Sequence, residues 1–299
     1  MNRPLDDGTV LPRPLRREFN GRAGGKLVAD AYGDPAAPTV VLLHGGGQTR
    51  HAWGNTAAHL AAAGWHALAF DARGHGESDW AADGDYSIDT QAAEMRAIWR
   101  GLRRPLVAVG ASMGGLISIV AAGHAAEPLI DALVLVDIAP RIETKGADRV
   151  VEFMTARPQG FASLQEAAEY VAAYRHRPVQ KNIEGLKKNL RLNAEGRWVW
   201  HWDPRMLDHR DASRGATAHY EQAIRNLNIP ILLVRGQHSD VLSEDGARDF
   251  LRLSPTARYV DLRDAGHMVA GDVNDVFTQA VSEFLAAALP APGRNDHAA

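Results

Sequence analysis

Ser112 lies in Gly110-Ala111-Ser112-Met113-Gly114, between the apolar run Leu106–Val109 and a helix-like stretch that begins at Met113. A serine on so sharp a strand-to-helix turn has a strained backbone. It presents its hydroxyl at the open end of a sheet, above a helix N-terminus that favours developing negative charge. That is how a nucleophile is displayed. The pentapeptide alone is weak, because 28 glycines make chance matches common. Its weight comes from its company. His44-Gly45-Gly46-Gly47 follows the apolar run Thr39–Leu43. A small-residue turn there can lend a backbone N–H to an oxyanion. The expected donors are the N–H groups of Gly46 and Met113, with the Met113 side chain as a pocket wall.

A serine hydroxyl is a poor nucleophile at neutral pH and needs a base. His267, in Asp264-Ala-Gly-His267 just after the strand-like run Ala257–Leu262, is the expected base. Asp240, in Gly236-Gln-His-Ser-Asp240 after Ile231–Arg235, is the expected acid that orients it. The order Ser, Asp, His fits a serine displayed on this kind of turn. Asp137, at the end of Ala132–Asp137, is a rival that could reach the same histidine. Glu244 and Asp245 read as first-turn helix acids behind Ser243 as cap. The loop Asp71–Ser78 reads as a structural turn in which Asp71 and Arg73 pair locally, so His75 is not the expected base.

These residues need a frame. Strand-like runs cover Lys26–Tyr32, Thr39–Leu43, His66–Phe70, Leu106–Val109, Ala132–Asp137, Ile231–Arg235 and Ala257–Leu262. From Thr39 onward, helical patterns separate most of them, at Trp53–Ala63, Ile88–Gly101, Met113–Ala125, Gly246–Leu253 and Val273–Ala288. Short continuous Val/Leu/Ile runs alternating with helices imply a mainly parallel sheet buried on both faces. The rhythm breaks over 140–218. There Ser163-Leu-Gln-Glu166 starts a helix with a capping box, and Pro178 opens another to about Leu190. Such an insertion sits over the carboxyl ends of the strands, where open α/β sheets bind ligands. Trp198, Trp200 and Trp202 alternate, which puts three indoles on one face of an extended segment. They read as glue between the insertion and the core, or as an aromatic wall for an apolar substrate.

Composition bounds the partners. The chain has 299 residues, 45% of them apolar, a formal charge of -3 and no cysteine. That excludes disulfides, thiol catalysis and cysteine-type zinc sites, and gives no general field for nucleic acid or acidic lipid. No apolar leader or membrane-length run is seen, so a cytoplasmic location is expected. The expected organisation is a loose arm over 1–15, a core over 16–139 and 219–289, a helical insertion over 140–218, and a loose tail over 290–299.

The chain resembles the α/β-hydrolase superfamily over residues 16–288. The resemblance rests on His44–Gly47, Asp71–Ser78, Gly110–Gly114, Asp240 and Gly266-His267, all in order. It implies an eight-stranded, mostly parallel sheet flanked by helices, a helical cap after Asp137, and a Ser–His–Asp triad that needs no metal or organic cofactor. The implied activity is cleavage of small or medium apolar carboxylic esters or lactones through an acyl-enzyme. Perhydrolase or haloperoxidase-like chemistry, carbon–carbon bond hydrolysis, and a ligand receptor without turnover are the alternatives. A serine at the turn speaks against the branches that use an aspartate nucleophile.

Overall fold

The computed structural model describes residues 13–209, 216–263, 265–267 and 274–289. Most of the arm expected over 1–15 and the whole tail expected over 290–299 lie outside the described residues. So does part of the end of the 140–218 insertion.

Ten strands are described: β1 (Leu15–Asn20), β2 (Lys26–Tyr32), β3 (Thr39–Leu43), β4 (His66–Phe70), β5 (Leu106–Ala111), β6 (Ala132–Val136), β7 (Leu190–Leu192), β8 (Trp198–Trp200), β9 (Ile231–Gly236) and β10 (Arg258–Leu262). Eight of them form one sheet in the order β1-β2-β4-β3-β5-β6-β9-β10. β1 and β2 run antiparallel to their neighbours. The strands from β4 to β10 in that order pair in parallel.

The side-chain period of two sorts the strand residues into two cores. Val41, Leu43, Leu133 and Leu135 face one layer, with α2 (Ile88–Trp99) and α3 (Met113–Gly123). Val40, Leu42, Val134 and Val136 face the other, with α1 (Gly54–Ala62) and α8 (Asn274–Ala288). Every residue of β3 and β6 is buried. That is why these strands read as unbroken apolar runs rather than alternating ones. α3 is apolar all round and buried from Gly114 to Gly123, because the sheet and neighbouring helices enclose it.

β1 carries no apolar run in the sequence. Its sequence, LRREFN, is almost wholly exposed on the sheet edge, so it carries charge instead of a hydrophobic run.

The segment between β6 and β9 is less helical than the periodicity suggests. It holds α4 (Thr144–Thr155), α5 (Leu164–Tyr174) and the small antiparallel pair β7–β8. Beyond Pro178 there is a short 3-10 turn over Ile183–Lys188, not a full helix. The expected cap forms: Ser163 Oγ accepts from Glu166 N–H, while the Glu166 carboxylate accepts from Ala162 N–H, one residue before the cap. The remaining described helices are α6 (Thr217–Arg225) and α7 (Glu244–Leu253). Ser243 caps α7 by accepting from Gly246 N–H at 3.0 Å.

Candidate active site

Ser112 is the junction between β5 and α3, with φ +48° and ψ −117°. No ordinary L-residue conformation lies there, and such strain persists only where the surroundings impose it. The surroundings do. A Cβ on Gly110 would lie 2.4 Å from the Gly114 carbonyl oxygen, and one on Gly114 would lie 2.4 Å from the Leu43 carbonyl oxygen. Strand and helix thus meet at a distance only glycine permits, and the serine between them is pushed out.

His267 faces this serine. Ser112 Oγ lies 3.2 Å from His267 Nε2, and His267 Nδ1 lies 2.7 Å from Asp137 Oδ2. The acid beside the histidine is therefore Asp137, and the expectation of Asp240 is corrected. Asp137 follows β6 with φ +53° and is fully buried. Its Oδ1 accepts from Gly236 N–H at 2.9 Å, and its Oδ2 accepts from Ser239 Oγ at 2.5 Å as well as from the histidine. Three hydrogen-bonding partners make a buried carboxylate tolerable. Asp240 is held elsewhere. Its carboxylate pairs with Arg149 of α4 at 3.1 Å. Its backbone lies against the same helix, where a Cβ on Gly146 would be 2.0 Å from the Asp240 carbonyl oxygen. The loop after β9 does reach the site, but through Ser239.

The turn after β3 supplies the amides. Gly45 N–H donates to the Gln48 side chain at 3.0 Å, and Gly47 N–H donates to His75 Nε2 at 3.1 Å. Gly46 N–H, between them, has no acceptor among the described residues. The same holds for Met113 N–H, which as the first residue of α3 has no carbonyl to bond. The two expected donors are thus the two uncommitted amides beside Ser112.

Sequence reasoning missed what His75 does. It is a fully buried ring whose Nε2 accepts from Gly47 N–H and whose Nδ1 faces the Arg73 carbonyl at 3.2 Å. His44 and His201 flank it, with ring centroids 4.9 and 5.8 Å away. His44 Nε2 accepts from Ala72 N–H, and His201 Nδ1 accepts from Gly76 N–H. Burial, then the neighbouring rings, pushes His75 well below the ordinary histidine value. Burial pushes His201 down to about 3 and also lowers His44. His44 and His75 therefore fasten the Asp71–Ser78 loop to the glycine turn, and His201 fastens it to the segment after β8. The expected Asp71–Arg73 pairing is replaced by longer-range ones: Asp71 pairs with Arg50, and Arg73 with Glu94. His44 next to Gly45, and His75 between Gly74 and Gly76, were the available signal.

Two cavities meet at Ser112 and His267. The wider, about 680 Å³, lies beneath α4, α5 and the 183–189 turn. The narrower, about 240 Å³, is walled by apolar residues such as Leu116, Ile138, Ile142, Val151 and Val241. Met154, Val150 and Gly46 border both. Of the three indoles, only Trp200 lines a cavity. Trp202 is buried and stacks on Trp200 at 4.7 Å, and its ring edge would be 3.3 Å from a Cβ on Gly47. Trp198 packs with Phe161 and Leu190. The aromatic-wall expectation therefore fails for Trp198 and Trp202, whose surroundings are those of packing residues. Among the described residues no cluster of His, Asp or Glu could hold a metal ion, and no helix is long and apolar enough to cross a membrane.

The alpha/beta hydrolase fold family model matches residues 38–272. The chain belongs to that family. It is 32% identical over 250 residues to an esterase of Mycobacterium tuberculosis, covering 79% of each chain. A crystal structure of that esterase superposes with a TM-score of 0.72 over 92% of each chain. A 3-hydroxybutyrate-oligomer hydrolase of Cupriavidus necator is 27% identical over 257 residues, covering 81% of this chain and 87% of the relative. The crystal structure of E-2-(acetamidomethylene)succinate hydrolase, at 23% identity, matches with a TM-score of 0.80 over 91% of this chain and 99% of its own. That last likeness concerns the fold.

Proposed function

We propose that the protein is a serine esterase that cleaves carboxylic esters through an acyl-enzyme, with Ser112, His267 and Asp137 as its triad. The observation that carries this is the continuous relay from Ser112 Oγ through His267 to the buried Asp137, opening on two cavities. The esterase and oligomer-hydrolase relatives, both ester-cleaving by name, support the bond type.

The steps follow from the geometry. Ser112 Oγ attacks the ester carbonyl carbon while His267 Nε2 takes its proton. Asp137 keeps Nδ1 protonated and stabilises the imidazolium. The carbonyl oxygen becomes an oxyanion held by the Gly46 and Met113 N–H groups, each donor contributing roughly 3–4 kcal/mol to the barrier reduction. Collapse breaks the bond to the alcohol oxygen, which receives the proton from His267. Water then attacks the acyl carbon, gives its proton to the same nitrogen, and releases the acid and free Ser112. The segment over 140–218 acts as a cap that shapes both cavities.

A fluorophosphonate probe tests the nucleophile. One equivalent should attach to the protein, the labelled peptide should contain Ser112, and Ser112→Ala should abolish both label and 4-nitrophenyl butyrate hydrolysis. A label on another residue of an active enzyme overturns the assignment.

A further inference from the structure

Both cavities open at Ser112, but from opposite layers of the fold. Leu116, Ile138 and Val241 of the narrow one belong to the core that holds α2 and α3. Ala111 and Val136 of the wide one belong to the core that holds α1 and α8. His267 enters from this second layer: Ala265, two residues before it, is packed in that core, and α8 follows it in the chain. The alcohol oxygen of an ester must face His267 Nε2 to receive its proton. That directs the leaving alcohol toward the wide cavity and the acyl chain toward the narrow one.

Met154 stands between the two. It borders both cavities from the end of α4 and is buried. A Cβ on Gly46 would lie 3.9 Å from its sulfur, and one on Gly47 would lie 3.4 Å from the sulfur and 3.3 Å from Cε. The thioether therefore covers the turn that offers the Gly46 amide. A carbonyl oxygen held about 3 Å from that amide brings the next carbon of the acyl chain against the thioether. α4 is fastened near both ends. Glu143 N–H, just before it, donates to the Val241 carbonyl at 2.9 Å, and the Phe153 carbonyl accepts from Tyr170 Oη at 2.8 Å.

We propose that Met154 is a specificity-determining residue: it meets the carbon next to the ester carbonyl, admits a straight acyl chain to the narrow cavity, and turns away a chain branched at that carbon. The substrate class is an ester of an unbranched apolar acid with a bulkier alcohol, which the wide cavity holds. This rests on the serine-esterase reading and names its substrate class. Methionine suits the position, because an unbranched, polarisable thioether packs closely along a passing chain. Its bulk leaves no room for a methyl branch, and one carbon more or less in an apolar site discriminates by about 10- to 200-fold.

The test compares kcat/KM for 4-nitrophenyl butanoate and 4-nitrophenyl 2-methylpropanoate, isomers that differ only in the branch. Dividing the wild-type ratio by the ratio in Met154→Ala cancels their intrinsic difference in reactivity. The quotient should be about ten or more. Met154→Leu, of nearly equal volume, should keep the wild-type ratio. A thermal melt checks that each variant is folded. If Met154→Ala does not fold, Met154→Val makes the same comparison with a smaller cut, and its quotient should be about three. Propyl and propan-2-yl butanoate, followed by proton release, place the branch on the alcohol, and their ratio should change little between wild type and variant. A quotient near one in a folded variant overturns the proposal while the esterase reading stands. A shift confined to the alcohol pair also overturns it, because the two halves then lie the other way round. If the wild type cleaves no ester of either series, the esterase reading itself has failed, and this inference falls with it.

Discussion

At the carboxyl edge of the sheet, the groups that touch Ser112 and His267 are held through backbone groups, with the Gln48, His75 and Ser239 side chains as partners. β5 and α3 meet through glycine contacts, Asp137 is held by Gly236 N–H, and the glycine turn is closed by amide hydrogen bonds. In the cap, side chains hold side chains. Phe153 stacks on Tyr174 at 4.2 Å, Trp200 stacks on Trp202, and Arg149 pairs with Asp240. The first kind of construction fixes atoms to within a few tenths of an ångström and tolerates little change. The second shapes a volume and can be repacked. On the proposed reading, chemistry and selectivity are accordingly carried by different parts of the chain.

The two aspartates give the sharpest way to break this division. Asp137→Asn should lower kcat by about 10⁴ while leaving the circular dichroism unchanged, because the histidine loses the partner that sets its tautomer. Asp240→Asn removes a half-exposed ion pair with Arg149, so activity should stay within about three-fold and stability within about 1 kcal/mol. Reversed effects would mean that the cap supplies chemistry.

His75→Ala comes next. It deletes the acceptor for Gly47 N–H without touching substrate. A shift of the glycine turn misplaces a donor, and kcat should fall by about 10² with KM little changed. A change confined to KM would place His75 in substrate binding instead. Trp200→Ala should act more gently. It enlarges the wide cavity, so the preference among ester chain lengths should move by about ten-fold while short-ester turnover survives. Equal loss on every substrate would show that Trp200 supports the triad.

The smallest effect concerns acid. His201 is held neutral down to about pH 3 in the folded protein, whereas the unfolded chain protonates it near the ordinary value of about 6.5. Between those limits the unfolded state binds the extra proton, so stability rises with pH and is lost as pH falls below about 6.5. Urea midpoints at pH 7 and pH 5 should therefore differ less in His201→Gln than in the wild type. The difference should be up to about 1.4 kcal/mol per pH unit for one histidine. An unchanged gap would show that His201 is already protonated in the folded state.

What could be read from the sequence follows the same division. The buried strands and the serine turn were legible because backbone rules dictate residue type there: runs of Val and Leu, and glycine where chains touch. The acid was misassigned for a physical reason. Both aspartates follow parallel strands, and chain order does not say which carboxylate meets enough hydrogen-bond partners to be buried. Asp137 meets three, and Asp240 finds an arginine on α4 instead. The indoles were legible as an extended face, but only the packing of β7, β8 and α5 decides which of them borders a cavity. β1 was illegible because an edge strand has little to bury.

The hydrogen bonds from Gly236 and Ser239 to Asp137 have a consequence for assembly. β6 ends at Val136 and β9 begins at Ile231, so the pairing that completes the acid's surroundings must close a loop that includes the whole cap. Closing so long a loop is entropically costly and slow compared with forming local helices. Catalytic power should therefore be among the last properties a refolding chain regains. Helical signal and collapse come first, and turnover appears only when the far half of the sheet has found its place beside the near half. Esterase activity in this protein doubles as a chemical report that the long-range topology is complete.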